Sequence, residues 1–407
     1  MDQEMTQNVN QNIIEDKKIS IALMSYFAIL TVQYFILGYF NLRKTSYAGN
    51  IQLLSKIIVG IFYLIALPIV LKRNKREFIS VYIVSILIFL FNYMFFIDNR
   101  IYLKNIIFPY FFTCLPALIY SYSINDWSVL KGVMKKTSIL VFITGSTIAV
   151  MVFVKIISIG TYSMPLAYYM LLPTIVYMDE LLEKFSFKSL FISMMSLFVI
   201  LALGSRGPIM CIGVFTILKV INISKDLNYK TIAIYLMITA IGLIVLFYFD
   251  TILESLYNLL LNFEIRSRSI ELFLKDEIDL SGRDRLYEKV IQEIKNNPIS
   301  GIGLAGDRSV INGTYAHNII IEILANFGII LGGALLLSLI FISFKALFTS
   351  NKYVSNFIAI WFSIGFIHLM VSSSYITDLK FWIFLGLISR FVKDNKTIKN
   401  NFPKKYL

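Results

Sequence analysis

Long apolar segments separated by short polar loops follow one another along almost the whole chain. An α-helix needs about 20 such residues to cross a hydrocarbon core of about 30 Å. The backbone finds no water in that core, so apolar segments of this length are predicted to be helices. Hydropathy places about twelve spans, with boundaries good to a few residues. They lie near residues 19–40, 57–71, 78–97, 105–122, 137–157, 162–178, 189–204, 208–224, 231–249, 328–348, 354–373 and 379–392.

One polar interruption is much longer than the others and separates the ninth span from the tenth. At about 65 residues it is below the common size of a soluble domain. The pattern therefore predicts an all-α polytopic membrane protein with one large loop. The predicted parts are an N-terminal tail (1–18), spans 1–9 (19–249), the large loop (250–315), spans 10–12 (316–392) and a basic C-terminal tail (393–407).

Charge gives this arrangement an orientation. The 407-residue chain is 57% hydrophobic and has a formal net charge of +13. If the N-terminus is cytoplasmic, the inside loops and tails hold about 22 basic residues, against about 8 in the short loops outside. The distribution predicts that both termini are cytoplasmic and that the large loop is extracytoplasmic. It is typical of a protein whose surroundings are the lipid bilayer, and we expect no nucleic-acid partner.

The large loop contains a predicted amphipathic helix at Asp284–Asn297. Its apolar face is formed by Leu286, Val290, Ile291 and Ile294. Such a helix can lie on the membrane surface, or it can pack on the end of the helix bundle. The sequence leaves both placements open.

A second helix is predicted to begin at Tyr315 and to run to Asn326. Asn318, Glu322 and Asn326 are four residues apart and form a polar stripe along it. Gly328 is expected to break or bend the chain before the next span. His317 would then stand at the entrance to a membrane helix.

Arginines are the first candidates for chemistry. Arg206 lies in Gly204–Pro208, at the predicted outer end of the seventh span. An arginine so close to hydrocarbon usually faces a cavity or a partner, although it can also extend to lipid headgroups. The neighbouring glycines favour a ligand, because they allow close approach to the backbone.

The large loop holds further arginines: Arg266, Arg268, Arg283, Arg285 and Arg308. Guanidinium groups bind phosphate oxygens in a bidentate manner and stay charged at any working pH. The cluster predicts a phosphorylated, lipid-linked ligand, with a solvated basic loop as the alternative for any single arginine. His317 can act as acid or base near neutral pH, and a structural role is its alternative.

Two other patterns exclude function classes. Gly301, Gly303 and Gly306 spell G-x-G-x-x-G, but a dinucleotide site also needs a βαβ unit. We interpret these glycines as a flexible turn between two helices. His and Cys do not cluster at metal-ligand spacing, so we expect no metal site. The second histidine, His368, lies mid-span and is expected to pack or hydrogen-bond.

Several of these residues together resemble the bacterial O-antigen polymerase and O-antigen ligase superfamily. The resemblance rests on the order of the motifs and on the topology, with a long external loop between the ninth and tenth spans. The motifs are Gly204-Ser205-Arg206-Gly207 at a span end, Gly282-Arg283 before a helix, Asn297-Pro298 with Gly301 and Gly303, and His317-Asn318 followed by Gly328.

The resemblance implies inverting, metal-independent glycosyl transfer from an undecaprenyl-diphosphate-linked saccharide at the outer face of the cytoplasmic (inner) membrane. By motif, Arg206 and Arg283 would hold the diphosphate, with Arg285 as a further candidate. His317 would deprotonate the acceptor hydroxyl, and no cofactor would be required. A chain-length regulator and a flippase are the expected protein partners.

Two enzymes share the pattern. A polymerase transfers a lipid-linked chain of O-antigen or capsule onto a lipid-linked repeat unit, whereas a ligase transfers the finished chain onto lipid A-core. We favour the polymerase, because an organism makes many polymers and needs few ligases. A flippase for lipid-linked sugar is the alternative from another class. It would predict paired broken helices near the midplane, which the sequence does not show.

Overall fold

The structure is a computed structural model, and its described residues are helical wherever they are regular. It describes residues 2–157, 163–203, 206–223, 249–262, 267, 270–271, 274 and 283–401. The chain divides into two compact units. The first comprises Met1–Leu23, Tyr63–Leu130 and Leu280–Leu407, and the second comprises Met24–Phe62 and Lys131–Asp279.

The helices are numbered in chain order. Before residue 224 they are α1 (Asp2–Tyr39), α2 (Tyr47–Phe95), α3 (Arg100–Pro109), α4 (Leu115–Tyr122), α5 (Trp127–Phe153), α6 (Met164–Glu183), α7 (Phe187–Leu203) and α8 (Arg206–Ile223). After residue 248 they are α9 (Phe249–Asn262), α10 (Arg283–Asn296), α11 (Gly306–Val310), α12 (Ile319–Leu347), α13 (Lys352–Trp361), α14 (His368–Val371) and α15 (Leu379–Asn401). A 3₁₀ turn (Ile97–Asn99) precedes α3, and π-helical turns (Tyr110–Cys114 and Phe362–Ile367) follow α3 and α13.

Six helical segments within the described ranges are long and apolar enough to cross a membrane. They are Asn10–Tyr39, Tyr47–Phe95, Ile97–Tyr122, Trp127–Phe153, Ile319–Leu347 and Lys352–Val371. The prediction of a polytopic helical membrane protein is therefore confirmed. The count of twelve spans and the position of the large loop stay predictions, and most of the ninth predicted span (231–249) lies outside the described residues.

Helix α2 shows how two predicted spans can share one helix. It has 49 residues with non-helical backbone angles at Asn74. At 1.5 Å per residue it is about 74 Å long, more than twice the thickness of a hydrocarbon core. The buried Asn74 side chain donates a hydrogen bond to Ser123 Oγ at 2.8 Å. The break at Asn74 lies between the predicted spans 57–71 and 78–97.

Helix α12 is also broken, at Gly328, where φ is +74° and ψ is 176°. The loop that follows α10 replaces the hydrogen bonds lost at this break. The Ile329 amide donates to the carbonyl of Pro298 at 2.7 Å, and the Ile302 amide donates to the carbonyl of Ala325 at 2.7 Å. The broken helix and the loop thus satisfy each other's backbone.

The glycine run forms a turn between two helices, as interpreted from the sequence, but it is packed tightly against this break and is not flexible. Gly301 has φ +65°, and a Cβ there would lie 2.5 Å from the Gly328 nitrogen. A Cβ on Gly303 would lie 2.5 Å from the ring of Phe96. These residues are glycines because backbone and ring occupy the space of a side chain.

Helix α10 packs on protein, which decides between its two predicted placements. Val290 and Ile294 are buried against Ile311 and Ala325, and Leu286 packs partly buried beside them.

Ile291, the fourth residue of the predicted apolar face, lies at the edge of this contact, since its side chain is 39% exposed. It lies one residue, about 100°, around the helix from Val290.

The second predicted helix begins later than the pattern indicates. It starts at Ile319, and Asn318 is its N-cap, accepting hydrogen bonds from the amides of Ile320 at 2.9 Å and Ile321 at 3.3 Å. His317 precedes the cap with φ +55°. The four-residue spacing of Asn318, Glu322 and Asn326 includes the cap residue, but the asparagine side chain bonds the first helical amides, so the helix begins only after it.

We predict that Gly328→Ala destabilises the protein by about 2 kcal/mol or more, because the alanine adopts positive φ and its Cβ lies 2.3 Å from the Ile299 carbonyl oxygen. Thermal unfolding of the detergent-purified protein measures this. The control is Gly333→Ala in the same helix, where a Cβ would meet nothing within 4 Å. Equal unfolding temperatures for the two variants would contradict the packing described at Gly328.

Candidate functional site

His317 and Tyr315 form the centre of the candidate site, in the first unit. The two rings lie 4.1 Å apart between centroids and are tilted by 46°. Both side chains are half-buried. His317 Nδ1 is buried and has no hydrogen-bond partner among the described residues. Among the described residues, the orientation of the imidazole is therefore set by the backbone before the α12 cap and by packing on the Tyr315 ring, and no hydrogen bond at Nδ1 fixes it.

The surroundings of His317 keep its imidazole neutral. Burial, and then the positive charge of Arg283, lower the pKa of His317 from 6.5 to about 4. At pH 7 the ring is unprotonated, which is the form that accepts a proton. The site thus places a neutral base beside a fixed positive charge.

Arg283 is the first residue of α10, and its side chain is half-buried. Its Nη1 donates a hydrogen bond to the carbonyl of Val371, at the end of α14. Within the described part of the chain, no acceptor takes the other N–H groups of this guanidinium. They are available to an anion close to His317.

Arg285 is exposed on the same helix. Two residues along an α-helix correspond to a rotation of about 200°, so Arg285 and Arg283 diverge. Arg206 is half-buried at the start of α8, in the second unit. The roles of Arg206 and Arg285 stay predictions, and Arg266 and Arg268 lie outside the described residues.

Arg308 differs from Arg283 because its charge is already compensated. The side chain is buried, and Nη1 lies 3.1 Å from Asp307 Oδ1 and 3.5 Å from Glu322 Oε1. Nη2 donates to Ser374 Oγ at 2.8 Å. Arg308 therefore stabilises the fold and leaves little charge for a ligand. Sequence reasoning grouped it with the other loop arginines, although the adjacent Asp307 was a signal for an ion pair.

The predicted polar stripe of α12 anchors the end of α14 and the segment that follows it. Asn318 Nδ2 donates to the Met370 carbonyl at 3.3 Å. Glu322 Oε2 accepts from the Tyr375 amide at 3.1 Å, and Asn326 Nδ2 donates to the Tyr375 hydroxyl at 2.8 Å. The stripe thus fixes the backbone that receives Arg283.

Tyr315 links the ion cluster to the histidine. Its ring centroid lies 5.9 Å from the guanidinium carbon of Arg308. The same ring contacts the imidazole of His317. Asp307 Oδ2 accepts a hydrogen bond from the Ala316 amide at 2.9 Å, between the two rings in sequence. Asp307 and Arg308 therefore position the 315–317 segment.

His368 is buried, as expected of a packing residue. Its Nδ1 lies 3.2 Å from Asp378 Oδ2, and both side chains are buried. Within the described ranges, no three His, Cys, Asp or Glu side chains group as metal ligands.

Comparison with known proteins adds to this geometry. Residues 191–337 match the family described as O-Antigen ligase (Wzy_C). The match confirms the resemblance to the O-antigen polymerase and ligase superfamily, and it includes Arg206, Arg283, Arg285 and His317. No curated protein matches the chain significantly.

The Wzy_C family implies a glycosyltransferase-like enzyme of O-antigen assembly acting in a membrane on a lipid-linked polysaccharide. It does not distinguish polymerase from ligase, and it gives the flippase alternative no support.

We predict that His317 titrates near pH 4 and stays neutral from pH 5 to 8, because it is desolvated beside Arg283. The chain has only two histidines. Nuclear magnetic resonance of ¹⁵N-histidine-labelled protein can therefore follow each, with His368→Asn as the assignment variant. Arg283→Gln removes a positive charge and should raise the pKa of His317. A pKa of 6.5 or above in the wild-type protein would refute the site geometry.

Arg308→Met should destabilise the protein by about 3–5 kcal/mol, because it leaves the buried Asp307 and Glu322 without their cation. Arg285→Met, on the exposed face of α10, should change stability by about 0.5 kcal/mol or less. Both are measured by thermal unfolding in the same detergent. If Arg308→Met unfolds like the wild type, the ion cluster does not hold the site.

Proposed function

We propose that this protein is a surface-polysaccharide polymerase, for O-antigen or capsule, of the cytoplasmic (inner) membrane. It would transfer a growing glycan from undecaprenyl diphosphate to a hydroxyl of a lipid-linked repeat unit, with inversion and without a metal ion. The proposal is carried by one observation: a neutral, half-buried His317 lies beside Arg283 within the segment that matches the O-antigen ligase family.

His317 is the proposed general base. It takes the proton of the acceptor hydroxyl as that oxygen bonds to the anomeric carbon. The bond from this carbon to the diphosphate breaks, and the diphosphate leaves with its electron pair. The proton remains on the imidazole until it passes to solvent. A neutral ring in the free enzyme supports this direction of proton transfer.

Arg283 is the proposed electrostatic partner. Negative charge grows on the leaving diphosphate, and a guanidinium already fixed in place stabilises it without reorganisation. The same contact also affects the base. A bound diphosphate offsets the Arg283 charge that disfavours protonated His317, so substrate binding makes the imidazole more basic. In this proposal His317 becomes an effective general base only when the lipid-linked donor is bound.

The remaining assignments complete the proposal. Arg206 and Arg285 contribute to diphosphate binding, and the reaction takes place on the extracytoplasmic side. The predicted topology, with about twelve spans and both termini cytoplasmic, supports an extracytoplasmic loop between spans nine and ten. A flippase would deliver the repeat units, and a chain-length regulator would limit the polymer.

We predict that His317→Ala lowers the rate of polymer formation by about 10²–10⁴-fold, the usual contribution of a general base. Arg283→Ala and Arg206→Ala should lower it by about 10²–10³-fold, as for other fixed donors to a developing charge. The assay follows conversion of a lipid-linked repeat unit to a ladder on a gel, at equal protein levels. Lys289→Ala, an exposed substitution on α10, is the control.

A wild-type ladder from His317→Ala would overturn the assignment of the base. Deletion of the gene separates the two enzymes. Loss of a polymerase leaves a single repeat unit on the core, whereas loss of a ligase leaves bare core and lipid-linked polymer.

A further inference from the structure

Arg43 lies in the second unit, in the turn between α1 and α2. Its side chain folds back onto the end of α1. The guanidinium carbon lies 4.4 Å from the centroid of the Tyr34 ring. Gly38 lies one helical turn after Tyr34 on α1, and a Cβ added to it would lie 3.3 Å from Arg43 Nη2. The glycine therefore leaves room for the guanidinium on the helix surface.

Among the described residues, the guanidinium of Arg43 has no anionic partner. Nε and Nη2 are buried and have no hydrogen-bond partner in the part of the chain that the structure describes. Residues 41–50, which comprise most of the turn and the start of α2, contain no carboxylate. An arginine stays charged at any working pH, and burying its N–H groups without acceptors is costly. The contact with the Tyr34 ring offsets only part of that cost.

The aromatic surface under Arg43 is itself fixed. The Tyr34 hydroxyl is hydrogen-bonded to Ser163 Oγ. The Tyr34 ring also makes an edge contact with Tyr169 of α6, with 5.8 Å between centroids. The Tyr34 ring is therefore fixed, and it holds the guanidinium of Arg43 in one position. An anion site needs such a preorganised cation.

We infer that Arg43 is a phosphate-binding site for a phosphorylated lipid. Arg43 follows the apolar segment Asn10–Tyr39 by four residues, so it lies at the membrane boundary, where lipid phosphates are found. The planar guanidinium matches phosphate oxygens in a bidentate manner. The phosphate can belong to the lipid diphosphate of the donor, which rests on the proposed function, or to a phospholipid headgroup, which does not.

Arg100 provides a matched control. It is the first residue of α3, and its guanidinium carbon is 5.0 Å from the centroid of a tyrosine ring, Tyr93. Unlike Arg43, its Nε donates a hydrogen bond to the Tyr93 carbonyl at 2.7 Å. Both guanidinium groups stack on a tyrosine ring, but only Arg100 has an acceptor for its Nε among the described residues. A comparison of the two therefore tests the unpartnered N–H groups on which the inference rests.

The experiment measures two kinds of binding to the full-length protein, in wild-type form and as Arg43→Gln, Arg43→Lys and Arg100→Gln. One arm titrates undecaprenyl diphosphate in a phosphate-free detergent. The other counts phospholipids retained after purification, by native mass spectrometry. If the donor is the source, Arg43→Gln weakens binding of undecaprenyl diphosphate tenfold or more. If the headgroup is the source, Arg43→Gln loses a retained phospholipid. Arg100→Gln should behave like wild type in both arms.

Wild-type behaviour of Arg43→Gln in both arms would overturn the inference and make Arg43 a structural residue stacked on Tyr34. Arg43→Lys keeps the charge but not the planar fork, so it should bind with intermediate strength. If Arg43→Gln does not fold, the same two measurements on Arg43→Lys decide, and wild-type binding by that variant overturns the bidentate site. Neither arm uses turnover, so the outcome is independent of the His317 assay.

Discussion

The exchange of backbone hydrogen bonds at Gly328 is the constraint on which the first unit depends. A helix that breaks in an apolar environment leaves an amide and a carbonyl without partners, and no water is present to satisfy them. Here the loop after α10 supplies both, through Pro298 and Ile302. One consequence is geometric. The same loop ends α10 and is bonded to α12, so Arg283 at the start of one helix and His317 before the other belong to a single packed unit.

Charge compensation then separates the arginines of this region into two kinds. Arg308 is surrounded by Asp307, Glu322 and Ser374, and its charge is balanced inside the protein. Arg283 donates to one backbone carbonyl and otherwise faces no described acceptor. The first kind of arginine holds the segment that carries His317, and the second lowers the pKa of that histidine. The same residue type thus has opposite roles, set by the number of acidic neighbours.

Some of this could be predicted from local pattern, because the pattern itself has a physical meaning along the chain. The apolar period predicted the helix that the structure places at Arg283–Asn296, and the four-residue spacing of Asn318, Glu322 and Asn326 predicted a common face. The pattern was less reliable at boundaries. The predicted helix start at Tyr315 was wrong because the Asn318 side chain caps the helix, which therefore begins at Ile319. Ile291 is partly exposed because one residue of rotation moves its side chain to the edge of the contact.

The sequence by itself determined the class of the protein, because the length of an apolar segment is a property of the chain and the bilayer alone. It also determined which residues could hold a phosphate or move a proton. Only the tertiary structure decided which of them are still available. The glycine run became a packed support for Gly328, Arg308 became an internal ion pair, and His317 became a neutral ring, since burial and partners come from segments far apart in the chain. Desolvation and pairing are properties of the folded surroundings, and a list of residues does not contain them.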